Sequence, residues 1–451
     1  MNKKIFLIFI FVWAVFFLAG LKWNPHQRPT GDEPHYLIIA QSLIKDHDLD
    51  LKNNYEQKDY RKWGYPIEDF GQGHVSVNSI PPYQYSVHNI GWPLIFAPFL
   101  ALDGRNGITF LTSFLTALLF LNIFLLVKKV TQNSRVGLII AIVTGFSVPV
   151  IIYATQIFSE IFTALLVLYV FRKVIDKSEN LIGQILPILA ISFLPWIHVK
   201  YLLISLVLLI LWVINNWRAK KRLFLTTIYI ISLLILGYLF KHWYGSFSPN
   251  AQYPSVLAYD FKHLGQGILA LFMDRTFGIL AYAPVYFMAL AGLYFLYLEN
   301  KLLTLKLSVV FLSLFLVQAV NAPMIGWAPA GRFLVTVLSL LSIPMAKTYL
   351  NLKHWSKIIF WHLTGWGWLV SYLLIRHPDL NYSLSEPQFL KAISPPIFAF
   401  YKFFPTLLSV EHYPPLTGKT IFLLIFWLLL ILGFNLVLIL SNSKTKSNQK
   451  A

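Results

Sequence analysis

Residues 420–440 read TIFLLIFWLLLILGFNLVLIL, an apolar run without a charged side chain. Comparable runs, each predicted as one helix, occupy Phe224–Phe240, Phe277–Leu298 and Leu305–Val320. About 20 apolar helical residues cross the roughly 30 Å of bilayer hydrocarbon, where lipid offers the backbone no hydrogen-bonding partners. Of the 451 residues, 57% are hydrophobic and 12% are charged. The sequence therefore predicts an all-α polytopic membrane protein with about 12 transmembrane helices.

The charged residues indicate how the chain is oriented. There are 37 basic and 19 acidic residues, which give a formal net charge of +18. Basic side chains concentrate in alternate connections between the apolar runs, for example at Lys128–Lys129, Arg218–Arg222 and Lys444–Lys450. Cytoplasmic loops show this basic excess, so we expect both termini in the cytoplasm. Because the excess follows membrane topology, the sequence does not indicate a nucleic-acid partner.

The longest polar segments fall on the outer side in this topology. The first, 22–105, is expected to carry short interfacial helices, one of them around Tyr36–Ile44, where apolar residues recur at helical spacing. We expect residues 1–350 to form one transmembrane module that includes this loop. Residues 351–451 are expected to add C-terminal helices and the outer loop 376–419. The absence of cysteine excludes disulfides and thiolate metal sites.

The candidate catalytic residues, Asp32 and Glu33, lie in Gly31-Asp32-Glu33-Pro34-His35-Tyr36. Pro34 disfavours a helical conformation for Glu33 and is well placed to open the helix that follows. Both carboxylates then stand at a helix N-terminus, where the helix dipole and free backbone amides favour the ionised form. An ionised carboxylate can take a proton from an acceptor hydroxyl. The alternative is that Asp32 only caps this helix.

Eight short stretches share an expected position near the outer face. They are Gly31–Tyr36, Asp48–Leu51, Asn54–Tyr55, His88–Pro93, Gln156–Glu160, Trp196–Lys200, Asp274–Gly278 and Gly331–Phe333. In this order they resemble the GT-C class of glycosyltransferases, which includes protein O-mannosyltransferases and bacterial lipid A aminoarabinose transferases. The resemblance implies a GT-C-like fold and a catalytic acidic residue in the first outer loop. Asp32 and Glu33 occupy the matching positions.

A GT-C-like transferase would take its sugar from a lipid phosphate, whose departure needs charge stabilisation. The candidate residues for binding that phosphate lie near predicted outer helix ends. They are His198, Lys200, Asp274, Arg275 and Arg332. Arginine offers phosphate a planar bidentate fork, and lysine offers a point charge. The alternative is that the three cations extend to lipid headgroups instead.

Glu160 stands at the start of an apolar run, where an unpaired carboxylate is costly and a functional role is the default hypothesis. It can equally be a helix-entry carboxylate satisfied by backbone amides. With His35 and His88 it is a candidate for positioning the acceptor or a metal. Adding Asp32 gives an oxygen and imidazole ligand set for a divalent metal. Related enzymes differ in metal dependence, so a divalent metal cofactor stays open.

The resulting hypothesis is an inverting glycosyltransferase of the inner or plasma membrane. It would move a sugar from a polyprenyl-phosphate donor to a glycan, lipid or protein acceptor on the outer face, with Asp32 as base. One alternative is a flippase or transporter for lipid-linked glycans, in which charges at helix ends mark a transit path. Another is a glycan ligase or polymerase, which shares the lipid carrier. Acidic residues concentrated in one outer loop favour surface chemistry over transport.

Overall fold

The computed structural model describes residues 3–25, 28–63, 74–176, 181–216, 222–253, 261–325, 328–378, 401–409 and 412–447. In chain order its α-helices are α1 Lys3–Trp23, α2 Glu33–Lys45, α3 Lys52–Glu56, α4 Gly91–Thr131, α5 Ser134–Phe146, α6 Val150–Tyr153, α7 Glu160–Ile175, α8 Leu181–Ile197, α9 Leu202–Asn215, α10 Arg222–Tyr244, α11 Leu264–Met273, α12 Ala289–Glu299, α13 Lys301–Val320, α14 Val335–Leu338, α15 Ser342–Asn351, α16 His354–Arg376 and α17 Gly418–Ser447. Within these residues, β-pairing is limited to the isolated bridges Val75–Ser86 and Ser409–His412. The predicted all-α class is confirmed.

Seven helical segments within the described part of the chain are long and apolar enough to cross a membrane. They are Lys3–Trp23, Gly91–Thr131, Leu223–Tyr244, Lys301–Val320, Arg332–Asn351, His354–Arg376 and Gly418–Ser441. Four shorter apolar helices accompany them, at Ser134–Phe146, Ile182–Ile197, Val199–Asn215 and Pro284–Glu299. Large apolar side chains such as Phe422 and Leu429 are exposed, as expected of a lipid-facing surface. The chain is a multi-pass membrane protein, and the total of about 12 spans stays a prediction.

The chain divides into two compact units. Unit 1 comprises residues 1–115 and 153–259, and unit 2 comprises residues 116–152 and 260–451. In unit 1, α1 packs against α4, where the Trp13 indole donates a hydrogen bond to the Ser113 hydroxyl at 3.2 Å. The beginning of α4 is a helix of its own, since Asp103 and Gly104 have non-helical dihedral angles. Residues 91–102 therefore form a helical segment within the predicted outer loop.

Unit 2 is held together by close helix packing and by polar contacts between helices. Gly292 of α12 lies directly against the backbone of Pro344 in α15, where a Cβ atom would clash. Small residues allow this approach of helix backbones in membranes. The Asn435 side chain of α17 also contacts this region. Its Nδ2 donates to the Phe287 carbonyl at 3.2 Å, and its Oδ1 accepts from the Ala291 backbone amide at 2.9 Å. These contacts tie α12 to both neighbours.

The prediction of one helix over Phe277–Leu298 is wrong at its beginning. Helical structure starts with a 3₁₀ turn at Pro284–Met288 and continues as α12. The preceding backbone has other partners: the Phe277 amide bonds to the Asp274 carboxylate, and the Phe277 carbonyl accepts from the Gly331 amide. Pro284 begins this turn, much as Pro34 lies in the first turn of α2. A proline at the first helical position loses no intrahelical hydrogen bond. Hydrophobicity alone therefore overestimated the helix length.

Candidate active site

Asp32 lies at the N-cap position of α2, after Gly31 in a left-handed conformation with φ of 59°. Pro34 stands in the first turn, as the motif predicts. The Asp32 side chain makes no capping hydrogen bond, although the position is the one that Asp usually caps. Its carboxylate instead acts electrostatically on the imidazoles of His35 and His74. The capping alternative for Asp32 therefore has no support in the geometry.

Glu33 is 3% exposed, and its carboxylate holds two chain segments together. Its Oε2 accepts from the Thr30 backbone amide at 3.0 Å, and its Oε1 accepts from the Ile157 backbone amide at 2.8 Å. The Trp92 indole donates to the Ile157 carbonyl at 2.6 Å, so both backbone groups of that residue are engaged. These bonds indicate that Glu33 positions the segment that leads to α7.

Three imidazoles from different parts of unit 1 form what we call the histidine cluster: His35, His74 and His88. The His35 and His74 rings are stacked with centroids 3.5 Å apart, and the His35 and His88 centroids are 5.5 Å apart. Nδ1 of His74 lies 3.0 Å from Nε2 of His88, within hydrogen-bonding distance. The Tyr55 hydroxyl lies 3.2 Å from Nδ1 of His35. The cluster thus joins two predicted residues, His35 and His88, to His74, which the sequence analysis did not assign a role; Tyr55, which contacts the cluster, had none either.

Two of the three imidazoles, those of His35 and His74, lie where the neutral form is favoured. Burial lowers the pKa of His35 well below its ordinary value of 6.5; His74 and His88 lower it further, and Asp32 raises it. Burial also lowers the pKa of His74, again opposed by Asp32. Neutral rings beside a carboxylate can accept or relay a proton without first losing one. The arrangement therefore places neutral His35 and His74 rings, rather than cations, near Asp32.

The depressed histidine pKa values predict a pH dependence of stability. A His35 whose folded pKa lies below 6.5 binds fewer protons when folded than when unfolded. The free energy of unfolding should then fall on acidification from pH 7 to about pH 5 and level off above neutrality. Melting curves recorded in buffered nanodiscs measure this slope. The His35→Gln variant should show a shallower slope, and equal slopes in both proteins would contradict the assignment.

Glu160 and Lys200 form an ion pair in unit 1. Glu160 begins α7 and is 2% exposed, and its Oε1 lies 3.4 Å from Nζ of Lys200, whose side chain is 12% exposed. His198 precedes this lysine; its Nδ1 accepts from the Lys200 backbone amide at 3.1 Å, and its Nε2 lies 3.3 Å from the Tyr253 hydroxyl. Lys200 is thus held inside the protein by Glu160, which does not fit the alternative of extension to a lipid headgroup.

Asp274, in unit 2, is fully buried and organises a turn after α11. Its Oδ1 accepts from the backbone amides of Thr276 and Phe277 at 2.8 and 2.9 Å. Its Oδ2 accepts from those of Leu407 and Leu408 at 2.7 and 2.9 Å. The predicted contribution of Asp274 to phosphate binding would therefore act through the shape of the turn that carries its neighbour.

The two arginine candidates lie on connected segments of unit 2. Arg275 is part of the turn that Asp274 organises, and its backbone amide donates to the Pro405 carbonyl at 2.9 Å. Arg332 is 4% exposed and begins a 3₁₀ helix after Gly331, whose amide donates to the Phe277 carbonyl at 2.9 Å. A guanidinium this buried does not extend to a lipid headgroup. Both residues stay candidates for binding phosphate.

The metal hypothesis named Asp32, His35, His88 and Glu160 as ligands. Among the residues that the structure describes, no group of three or more histidine, cysteine or acidic side chains is arranged to hold a metal ion. His35 and His88 share the histidine cluster with Asp32 nearby, whereas Glu160 is paired with Lys200. A divalent metal stays an untested prediction.

Sequence reasoning missed two members of this region. Tyr55 was part of the stretch Asn54–Tyr55, but nothing in the pattern linked its hydroxyl to His35. His74 had no local signal, because it follows a polar segment and lies 39 positions from His35. Only stacking of the two rings in the folded chain reveals it.

The fold and this region together define a multi-pass helical membrane protein with a carboxylate and histidine site beside its first membrane helix. Its structure is similar to the crystal structure of ArnT from Cupriavidus metallidurans bound to undecaprenyl phosphate. The TM-score is 0.51 at 11% sequence identity, over 97% of this chain and 77% of that chain. ArnT is a GT-C glycosyltransferase, so the predicted GT-C-like fold is confirmed. No protein-family model matches the sequence, and no curated protein matches it significantly.

Proposed function

We propose that this protein is an inverting glycosyltransferase that uses a polyprenyl-phosphate sugar donor. The observation that carries the proposal is the Asp32 carboxylate, which makes no capping bond and lies beside imidazoles with depressed pKa values. This arrangement occurs on a GT-C-like fold. A similar solved structure binds undecaprenyl phosphate, which supports a lipid phosphate of that chemical class as the carrier.

The proposed reaction is a single in-line displacement. The acceptor hydroxyl oxygen forms a bond to the anomeric carbon while its proton passes to Asp32. The bond between the anomeric carbon and the phosphate oxygen breaks, and its electron pair leaves with the lipid phosphate. Because attack and departure occur on opposite faces, the anomeric configuration inverts. Phosphate leaves well without an acid, so the remaining need is for cations around it.

The other residues have supporting roles in this proposal. Glu33 holds the segment before α7 in place. The His35 and His74 rings near Asp32 are neutral, because burial lowers the pKa of each. In unit 1, Lys200 remains the cation proposed to bind the donor phosphate, and Glu160 orients it. In unit 2, the cations proposed to bind the donor phosphate are Arg275 and Arg332. We propose an active site on the outer face of the inner or plasma membrane, with both termini in the cytoplasm.

The test uses the full chain in nanodiscs, incubated with undecaprenyl-phosphate-linked glucose, galactose, mannose and arabinose and with extracted membrane acceptors. We expect one donor to be consumed, with undecaprenyl phosphate released in equal amount and only when acceptor is present. Release without a glycosylated product, or movement of intact donor across vesicles without chemistry, would support a transporter and contradict the proposal. The Asp32→Asn variant serves as the matched control.

A further inference from the structure

Gln156 has a buried side-chain amide without hydrogen-bonding partners. The residue is 1% exposed, and neither its Oε1 nor its Nε2 has a partner among the residues that the structure describes. Leaving a buried polar group unsatisfied is destabilising, and native proteins contain few such groups. The amide offers both acceptor and donor atoms, so the cost applies at two positions. The Gln156 amide therefore lowers the stability of the fold unless a ligand satisfies it.

The surrounding backbone is fixed, which limits how far Gln156 can move to find partners. Its neighbour Ile157 has its amide bound by Glu33 at 2.8 Å and its carbonyl bound by the Trp92 indole at 2.6 Å. The residues that flank Gln156, from Ala154 to Glu160, are all buried. This buried, hydrogen-bonded backbone holds the amide in one place, as a binding site requires.

The chemistry of the amide selects the class of ligand. A carbonyl oxygen and an NH₂ group side by side need a partner that both donates and accepts. Sugar hydroxyls do both, and two adjacent hydroxyls match the two ends of the amide. A phosphate oxygen only accepts, so it would leave Oε1 unsatisfied, and a hydrocarbon chain would satisfy neither atom. The amide is therefore complementary to a sugar rather than to the lipid phosphate.

The position of Gln156 connects this amide to the proposed reaction. It directly precedes the residue bound by Glu33, which is the chain neighbour of Asp32, and four residues later Glu160 pairs with Lys200. We propose that Gln156 binds hydroxyl groups of the transferred sugar and so contributes to donor specificity. This inference rests on the proposed function and names a sugar-binding residue within it.

The experiment compares wild-type protein with Gln156→Met in nanodiscs. Methionine has a similar length and no hydrogen-bonding demand, so it fills the same space. We expect binding of the preferred undecaprenyl-phosphate sugar from the panel to weaken about tenfold. Binding of bare undecaprenyl phosphate should change less than about twofold. The melting temperature should stay the same or rise, because an unsatisfied amide has been removed.

Asn435 provides a matched control, since its buried amide is satisfied at both ends by backbone groups of unit 2. Asn435→Leu should lower the melting temperature and leave the ratio of the two lipid affinities unchanged. Donor lipids whose sugar lacks one hydroxyl group test the same contact by their binding to wild-type protein, so this test does not depend on how the variant folds. One of them should bind about tenfold more weakly, and Gln156→Met should lose little further affinity for it.

The outcomes separate the two hypotheses. If wild-type protein does not distinguish sugar-linked from bare lipid, the proposed function fails and this inference fails with it. If wild-type protein prefers the sugar-linked lipid and Gln156→Met keeps the full preference, only the inference on Gln156 is wrong. An equal loss of affinity for both lipids, or a lower melting temperature with the preference retained, would assign Gln156 a structural role and overturn it as well.

Discussion

Replacing Asp32 with asparagine should lower the rate of sugar transfer by roughly 10²–10⁴-fold while the protein stays folded. A neutral amide cannot take the proton of the acceptor hydroxyl, so the attacking oxygen stays a poor nucleophile. The Asp32 side chain makes no capping bond in α2, so the loss of a helix cap would not explain such a result. Asparagine also caps helices about as well as aspartate, so stability should change by less than about 1 kcal/mol.

The measurement is single-turnover transfer at saturating donor, with expression and melting temperature recorded in parallel. Glu33→Gln is the informative comparison, since the Glu33 carboxylate accepts from two backbone amides and a glutamine side chain can accept at only one oxygen. That variant should lose stability together with activity, and its activity loss should not exceed that of Asp32→Asn. Near wild-type transfer by Asp32→Asn would exclude Asp32 as the base and make Glu33 or Glu160 the candidate.

Replacing Lys200 with methionine should destabilise the protein by about 3–5 kcal/mol, because it leaves the buried Glu160 carboxylate without its cation. Removing both charges, as Glu160→Met together with Lys200→Met, should restore most of that loss. Apolar replacement of a whole buried pair is often neutral for stability. Unfolding by sodium dodecyl sulfate and thermal melting in nanodiscs both measure the effect.

Lys241 is the matched control in the same unit, since the residue is exposed and its ammonium group donates to the Gly245 carbonyl. Lys241→Met should change the free energy of unfolding by less than about 0.5 kcal/mol. If Lys200→Met and Lys241→Met have the same free energy of unfolding, the Glu160–Lys200 pair contributes nothing to stability. Lys200 would then extend to lipid headgroups instead. If the double variant regains stability but not transfer, at least one of Glu160 and Lys200 also contributes to the reaction.

Local sequence was sufficient to find residues whose role depends on their chain neighbours. Asp32 was identified because Pro34 predicts where a helix begins, and the structure begins α2 there. Glu33 was identified for the same reason, but its two partners, Thr30 and the distant Ile157, were not. The pattern therefore placed both carboxylates at the start of α2, but it could not show that Glu33 would hold two chain segments together.

Membrane insertion depends on properties that are local to each segment, since a helix must satisfy its own backbone and match the bilayer thickness. The apolar runs therefore determined the all-α, multi-pass class from the sequence alone. Partners of buried polar groups depend instead on which distant segments pack together. Glu33 binds a backbone amide 124 positions away, Lys200 pairs with Glu160 across 40 positions, and His35 stacks on His74. Only the tertiary structure decides these contacts, because burial removes water and leaves each polar group to the neighbours that the fold supplies.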